Sequence, residues 1–63
     1  MLNEYFVEIA DHDIPTRVLA EGYHEDGSFI NFIKKDPVTG KRRTVASFNK
    51  MKVWSVVEQS RMG

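Results

Sequence analysis

The run Asp36-Pro37-Val38-Thr39-Gly40-Lys41 constrains this chain most, because it reads as the bend of a β-hairpin between two alternating segments. Pro37 presets φ for the first central position of a type I turn. Asp36 can accept a hydrogen bond from the backbone two residues on, and Gly40 can take the left-handed conformation that returns the chain. Before the bend runs Phe29 to Lys35, and after it Arg42 to Phe48. Both are rich in β-branched and aromatic residues and hold no Gly or Pro, so adjacent antiparallel strands are expected.

The rest of the chain extends this pattern. Tyr5 to Ile9 is the first expected strand, with Tyr5, Val7 and Ile9 on one face at period two. Ala10 to Pro15 ends it, since Pro15 has no N–H for a ladder and biases Ile14 toward extended backbone. Thr16 to Tyr23 is the second strand, with Val18 and Ala20 on one face and Gly22 where a strand commonly bulges or bends. Asp26-Gly27 is a strong hairpin signal before the third strand. Asn49 to Lys52 is a short connection, either a tight turn or one turn of 3₁₀ helix, and Val53 to Glu58 is the fifth strand. Gln59 to Gly63 is a polar tail expected to fray.

Five short strands in 63 residues predict one all-β domain over residues 1–63, a five-stranded antiparallel sheet curled into an SH3-like or OB-like barrel. Apolar residues fall on both faces of the third strand, Phe29 and Ile33 on one side and Ile30 and Phe32 on the other. A half-buried sheet would be polar outside, so a second apolar surface needs covering. With no cysteine for a disulfide and no room for a covering helix, a second subunit is the natural cover, and a homo-oligomer is expected, with strand edges pairing between copies. Trp54 belongs either in the barrel interior or in a subunit interface, and burial is expected.

Strand order and the short link before the last strand resemble the layout of Sm-type and SH3-type barrels. The Sm family carries a glycine-bearing motif before its final strand. Val45 to Lys52 contains no glycine, so no binding residue is carried over.

Formal net charge is zero, but the charges are sorted along the chain. Residues 1–33 hold Glu4, Glu8, Asp11, Asp13, Glu21, Glu25 and Asp26 against Arg17 alone. From residue 34 on, Lys34, Lys35, Lys41, Arg42, Arg43, Lys50, Lys52 and Arg61 face only Asp36 and Glu58. Such asymmetry points to charged partners.

The candidate binding residues are the basic set Lys34, Lys35, Lys41, Arg42 and Arg43, which flank one hairpin, together with Lys50 and Lys52 in the next turn. They are expected to contact the phosphates of a nucleic acid or a nucleotide, with Phe32, Phe48 or Trp54 available for stacking where exposed. A protein partner is the other expectation, met through the acidic surface around Glu21, Glu25 and Asp26 or through an apolar face. Asp11-His12-Asp13 and His24-Glu25-Asp26 set a histidine beside carboxylates, but neighbours on extended chain point apart and metal sites need three or four converging ligands. No serine sits in a nucleophile motif and no phosphate loop is present, so no catalytic residue, cofactor or metal is expected. The apolar runs are too short to span a bilayer, and Met1-Leu2-Asn3-Glu4 has no signal-peptide character, so a cytoplasmic location without membrane contact is expected.

Overall fold

In the computed structural model, which describes residues 2–59, six strands and one 3₁₀ turn follow one another. The strands are β1 (Asn3–Ile9), β2 (Thr16–Ala20), β3 (Gly22–Asp26), β4 (Phe29–Lys35), β5 (Arg42–Asn49) and β6 (Val53–Gln59). They form two antiparallel three-stranded sheets, sheet A in the order β2-β1-β6 and sheet B in the order β3-β4-β5.

This replaces the single curled sheet of five strands. The expected second strand, Thr16 to Tyr23, divides at Glu21: its first part pairs with β1 in sheet A and its last part with β4 in sheet B. Gly22 allows the bend, and the Glu21 N–H donates to the carbonyl of Ile33 at 2.9 Å, so the corner leaves no bare amide there. No hydrogen-bonded pairing between the two sheets closes a barrel among the described residues.

The bends follow local chemistry. Asp26 and Phe29 are paired, which leaves Gly27-Ser28 as a two-residue loop with Gly27 at φ +60°, the arrangement a type II′ hairpin needs. At the next bend the Val38 N–H donates to the Asp36 carboxylate at 2.8 Å, and Gly40 sits at φ +74°. Between β1 and β2, Asp11 adopts φ +70°, a conformation Asp tolerates better than most residues. Lys50–Lys52 forms the 3₁₀ turn, with Asn49 capping it by accepting from the Met51 N–H. Gln59 closes β6 opposite Glu4 rather than opening a tail, and the remainder of the expected tail, 60–63, lies outside the described residues.

The core lies between the sheets. Tyr5, Val7, Val18 and Ala20 from sheet A meet Ile30 and Phe32 from sheet B, and these six are the buried apolar residues. On each of β1, β2 and β4 the buried residues share one face at period two, and on β4, apolar on both faces, it is the Ile30–Phe32 face that turns inward. Phe32 is the centre, with its ring 5.2 Å from Tyr5, 5.3 Å from Tyr23 and 5.7 Å from Phe48. Tilted and edge-on contacts of this kind add to burial worth roughly 1.5–3 kcal/mol for such a side chain.

Trp54 is not in this core. It is 71 % exposed on the single chain, which excludes the interior position of the two expected for it. The cause is a bulge: Glu8 pairs with Ser55 and Ile9 with Val53, so Trp54 is the extra residue and is turned out of the alternation. Phe29, Leu19 and Val57 are also exposed, so both sheets keep apolar side chains on their outer faces.

Candidate nucleic-acid interface

The β4–β5 hairpin assembles most of the expected basic site. Lys34 pairs with Arg43 and Lys35 with Arg42, so two successive rungs each hold two positive charges, and Lys41 lies just beyond them. Side chains alternate along a strand, so Lys34 and Arg43 project to one face and Lys35 and Arg42 to the other. A shallow cleft of about 300 Å³ at this end is lined by Lys34, Lys35, Asp36, Pro37, Arg43 and Val45.

Backbone bonds hold the tip. The Asp36 N–H donates to the Lys41 carbonyl and the Gly40 N–H to the Asp36 carbonyl, both at 2.8 Å. The Asp36 carboxylate accepts from the N–H groups of Val38 and Thr39. Those two backbone bonds hold its pKa below the ordinary value of 3.8, and the charges of Arg43 and Lys34 act in the same direction.

The five cations of the tip have no ion-pair partner among the described residues. Two cations elsewhere are matched, Arg17 with Glu4 and Lys50 with Glu25 at 3.2 Å, while Lys52 has no ion-pair partner among the described residues. Like charges directly opposite on adjacent strands destabilise a hairpin, so the tip holds its charge at a cost.

Lys50 and Lys52 do not join this cluster. The Lys50 N–H donates to the carbonyl of Ser28, which places the 3₁₀ turn at the far end of β4, beside the acidic β3–β4 bend. Six residue steps along β4 separate the two ends by roughly 20 Å. Lys50 there answers Glu25, so the acidic bend is offset by nearby lysine while the cations of the tip stay unpaired among the described residues.

The expected stacking partners are not at the tip either. Phe32 is fully buried and Phe48 is half-buried against it. Trp54 is exposed but lies on sheet A, in a depression with Glu8, Ile9, Asp11, His12, Asp13 and Pro15. What lies beside the cations instead is Pro37 and Val45. Val45 is the residue looped out where the β4–β5 register shifts between Ile33–Thr44 and Phe32–Ala46, a position that alternation alone does not mark.

No protein family model, curated protein or solved structure matches this chain at a significant level. The hairpin is therefore interpreted on its own chemistry. Among the described residues no group of three or more His, Cys, Asp or Glu side chains is placed to hold a metal ion, and Asp11, His12 and Asp13 line the depression beside Trp54. No helix among them is long and apolar enough to cross a membrane. The notable chemistry is a hydrogen-bonded, cationic hairpin end that offers N–H donors and charge, without an aromatic platform among the described residues.

Proposed function

We propose that this protein is a non-enzymatic binding module that contacts nucleic acid, or another phosphate-bearing ligand, through the β4–β5 tip. The observation that carries this reading is the pair of like-charge rungs, Lys34–Arg43 and Lys35–Arg42, with Lys41 beside them and no ion-pair partner among the described residues. A phosphate backbone supplies the missing counter-charge, and Arg adds bidentate geometry. Without stacking side chains nearby, recognition is of charge and shape rather than of unstacked bases. On this reading the two sheets serve as a small scaffold of the SH3-like or OB-like kind, supported by the corner at Glu21 where one strand passes from sheet to sheet, and the protein works in the cytoplasm.

Titrating a labelled duplex oligonucleotide with the wild type and with an Arg42→Glu, Arg43→Glu double variant tests this. Binding should vanish in the variant while amide NMR dispersion is kept. Retained affinity would sink the proposal.

A protein-interaction module is the second reading, favoured by the exposed Leu19, Trp54 and Val57 of sheet A. There binding survives the double variant and fails when Glu21, Glu25 and Asp26 are neutralised.

A further inference from the structure

Four strands are sheet edges: β2 and β6 in sheet A, β3 and β5 in sheet B. A free edge presents unpaired N–H and C=O groups that invite another strand, and proteins blunt it with charge, proline, shortness or a bulge. Three of these edges are blunted. β2 has five residues, includes Arg17 and follows Pro15. β3 has five residues and ends in Glu25 and Asp26. β5 begins with Arg42 and Arg43 and is bulged at Val45.

β6 is built differently. It runs for seven residues, Val53–Gln59, with no proline, lysine or arginine, and its one charge is Glu58 near the end. The Trp54 bulge disturbs only its start, leaving Ser55 to Gln59 in regular register with β1. From Trp54 onward its backbone bonds to nothing except β1 among the described residues. Two large apolar side chains, Trp54 and Val57, stand exposed on it, and Val57 continues the outer-face row of Phe6, its partner on β1.

We propose that β6 is a self-association edge. Two copies pair their β6 strands antiparallel about a twofold axis, giving one continuous six-stranded sheet in the order β2-β1-β6-β6-β1-β2. The strand suits a second copy because it is self-complementary. Centred on Val56, the pairing sets Ser55 against Val57 and Glu58 against Trp54, so no rung opposes two like charges. Val57 of each copy then lies between Phe6 of its own β1 and Ser55 of its partner, which covers apolar surface the single chain leaves bare. The need is energetic: a chain of 63 residues with six buried apolar side chains among its described residues and no cysteine is at the size where association commonly supplies missing stability. Pairing at this edge leaves the basic tip free, since the tip belongs to the other sheet.

Light scattering after size exclusion, over a concentration series of the full chain, tests the proposal. The wild type should have twice the 7.3 kDa mass of one chain. Val57→Lys, and separately Trp54→Glu, which sets like charges against each other on the Glu58 rung, should each return the mass to a single chain with amide NMR dispersion retained, because both positions are exposed in the monomer. Hydrogen exchange should show protection in β6 that rises with concentration. A wild type that stays monomeric at all concentrations overturns the proposal and leaves the edge to a strand of another protein. So does a dimer that survives both variants, or a mass that keeps climbing beyond two copies, because twofold pairing uses the edge up. Oligonucleotide binding is read separately, so failure here does not count against the tip.

Discussion

Lys34 faces Arg43 across the β4–β5 ladder, and one rung nearer the bend Lys35 faces Arg42. Directly opposed like charges oppose folding of the hairpin that holds them. That hairpin nonetheless forms because its bend is strongly specified: Asp36 binds two backbone amides, and Gly40 turns the chain back. A strong turn thus holds together charges that would separate on a weaker one, and a bound anion would relieve their repulsion.

Replacing one member of a rung should therefore separate stability from binding. Arg43→Glu converts Lys34–Arg43 into an attractive pair, so denaturant unfolding should show stability raised by roughly 0.2–1 kcal/mol. Affinity for a duplex oligonucleotide should fall in the same variant. A loss of both stability and binding would mean that Arg43 has a packing role.

Salt should act steeply on binding. Each phosphate neutralised contributes about −0.9 to the slope of log affinity against log salt for duplex DNA, so five engaged cations give a slope near about −4 to −5. A fluorescence anisotropy series over ionic strength measures it. A slope close to zero would rule out the phosphate contacts.

The bend should titrate below the ordinary carboxylate range. Asp36 has a lowered pKa in the folded state, mainly through the Val38 and Thr39 amides. Its contribution to stability is therefore complete above the unfolded value and is lost as pH falls through the lower folded value. Following the Val38 amide by NMR during acid titration should give a midpoint below 3.8, and Arg43→Glu should move that midpoint upward.

Gly40→Ala isolates backbone strain. An added Cβ would meet nothing closer than Lys35 Cε at 3.8 Å, an ordinary contact, so crowding has no part in the cost. The left-handed φ remains, and an L-residue there loses about 1–2 kcal/mol. Equilibrium unfolding of this variant, compared with Val38→Ala at an exposed apolar side chain of the same bend, should show the larger loss at Gly40.

Phe32→Ala should be the most damaging single change. Phe32 is fully buried and touches three other aromatic rings, and truncating such a residue costs about 3–5 kcal/mol. A core of this size supplies a comparable amount in total, roughly 3–5 kcal/mol. Amide NMR spectra of the variant should collapse to those of an unfolded chain, whereas Trp54→Ala should keep the folded pattern.

The sequence by itself determined the strands that begin and end with local chemistry. Period-two alternation grouped Tyr5 with Val7, Val18 with Ala20 and Ile30 with Phe32 but left the inward face of β4 open, and Pro37, Gly40 and Gly27 fixed where the chain reverses, because both signals act within a few residues. Five of the seven candidate cations come together for the same reason: they flank one turn.

Only the tertiary structure decided what depends on pairing between distant residues. Thr16 to Tyr23 has the pattern of one strand, yet β1 recruits its first part and β4 its last, and the division at Glu21 follows from that competition for partners. Trp54 leaves the core because β6 carries one residue more than β1 at their bulge, a mismatch of two strands that neither strand encodes alone. Lys50 and Lys52 follow the tip closely in sequence but sit at the opposite end of β4, since an antiparallel strand carries the chain away from the turn it has just made.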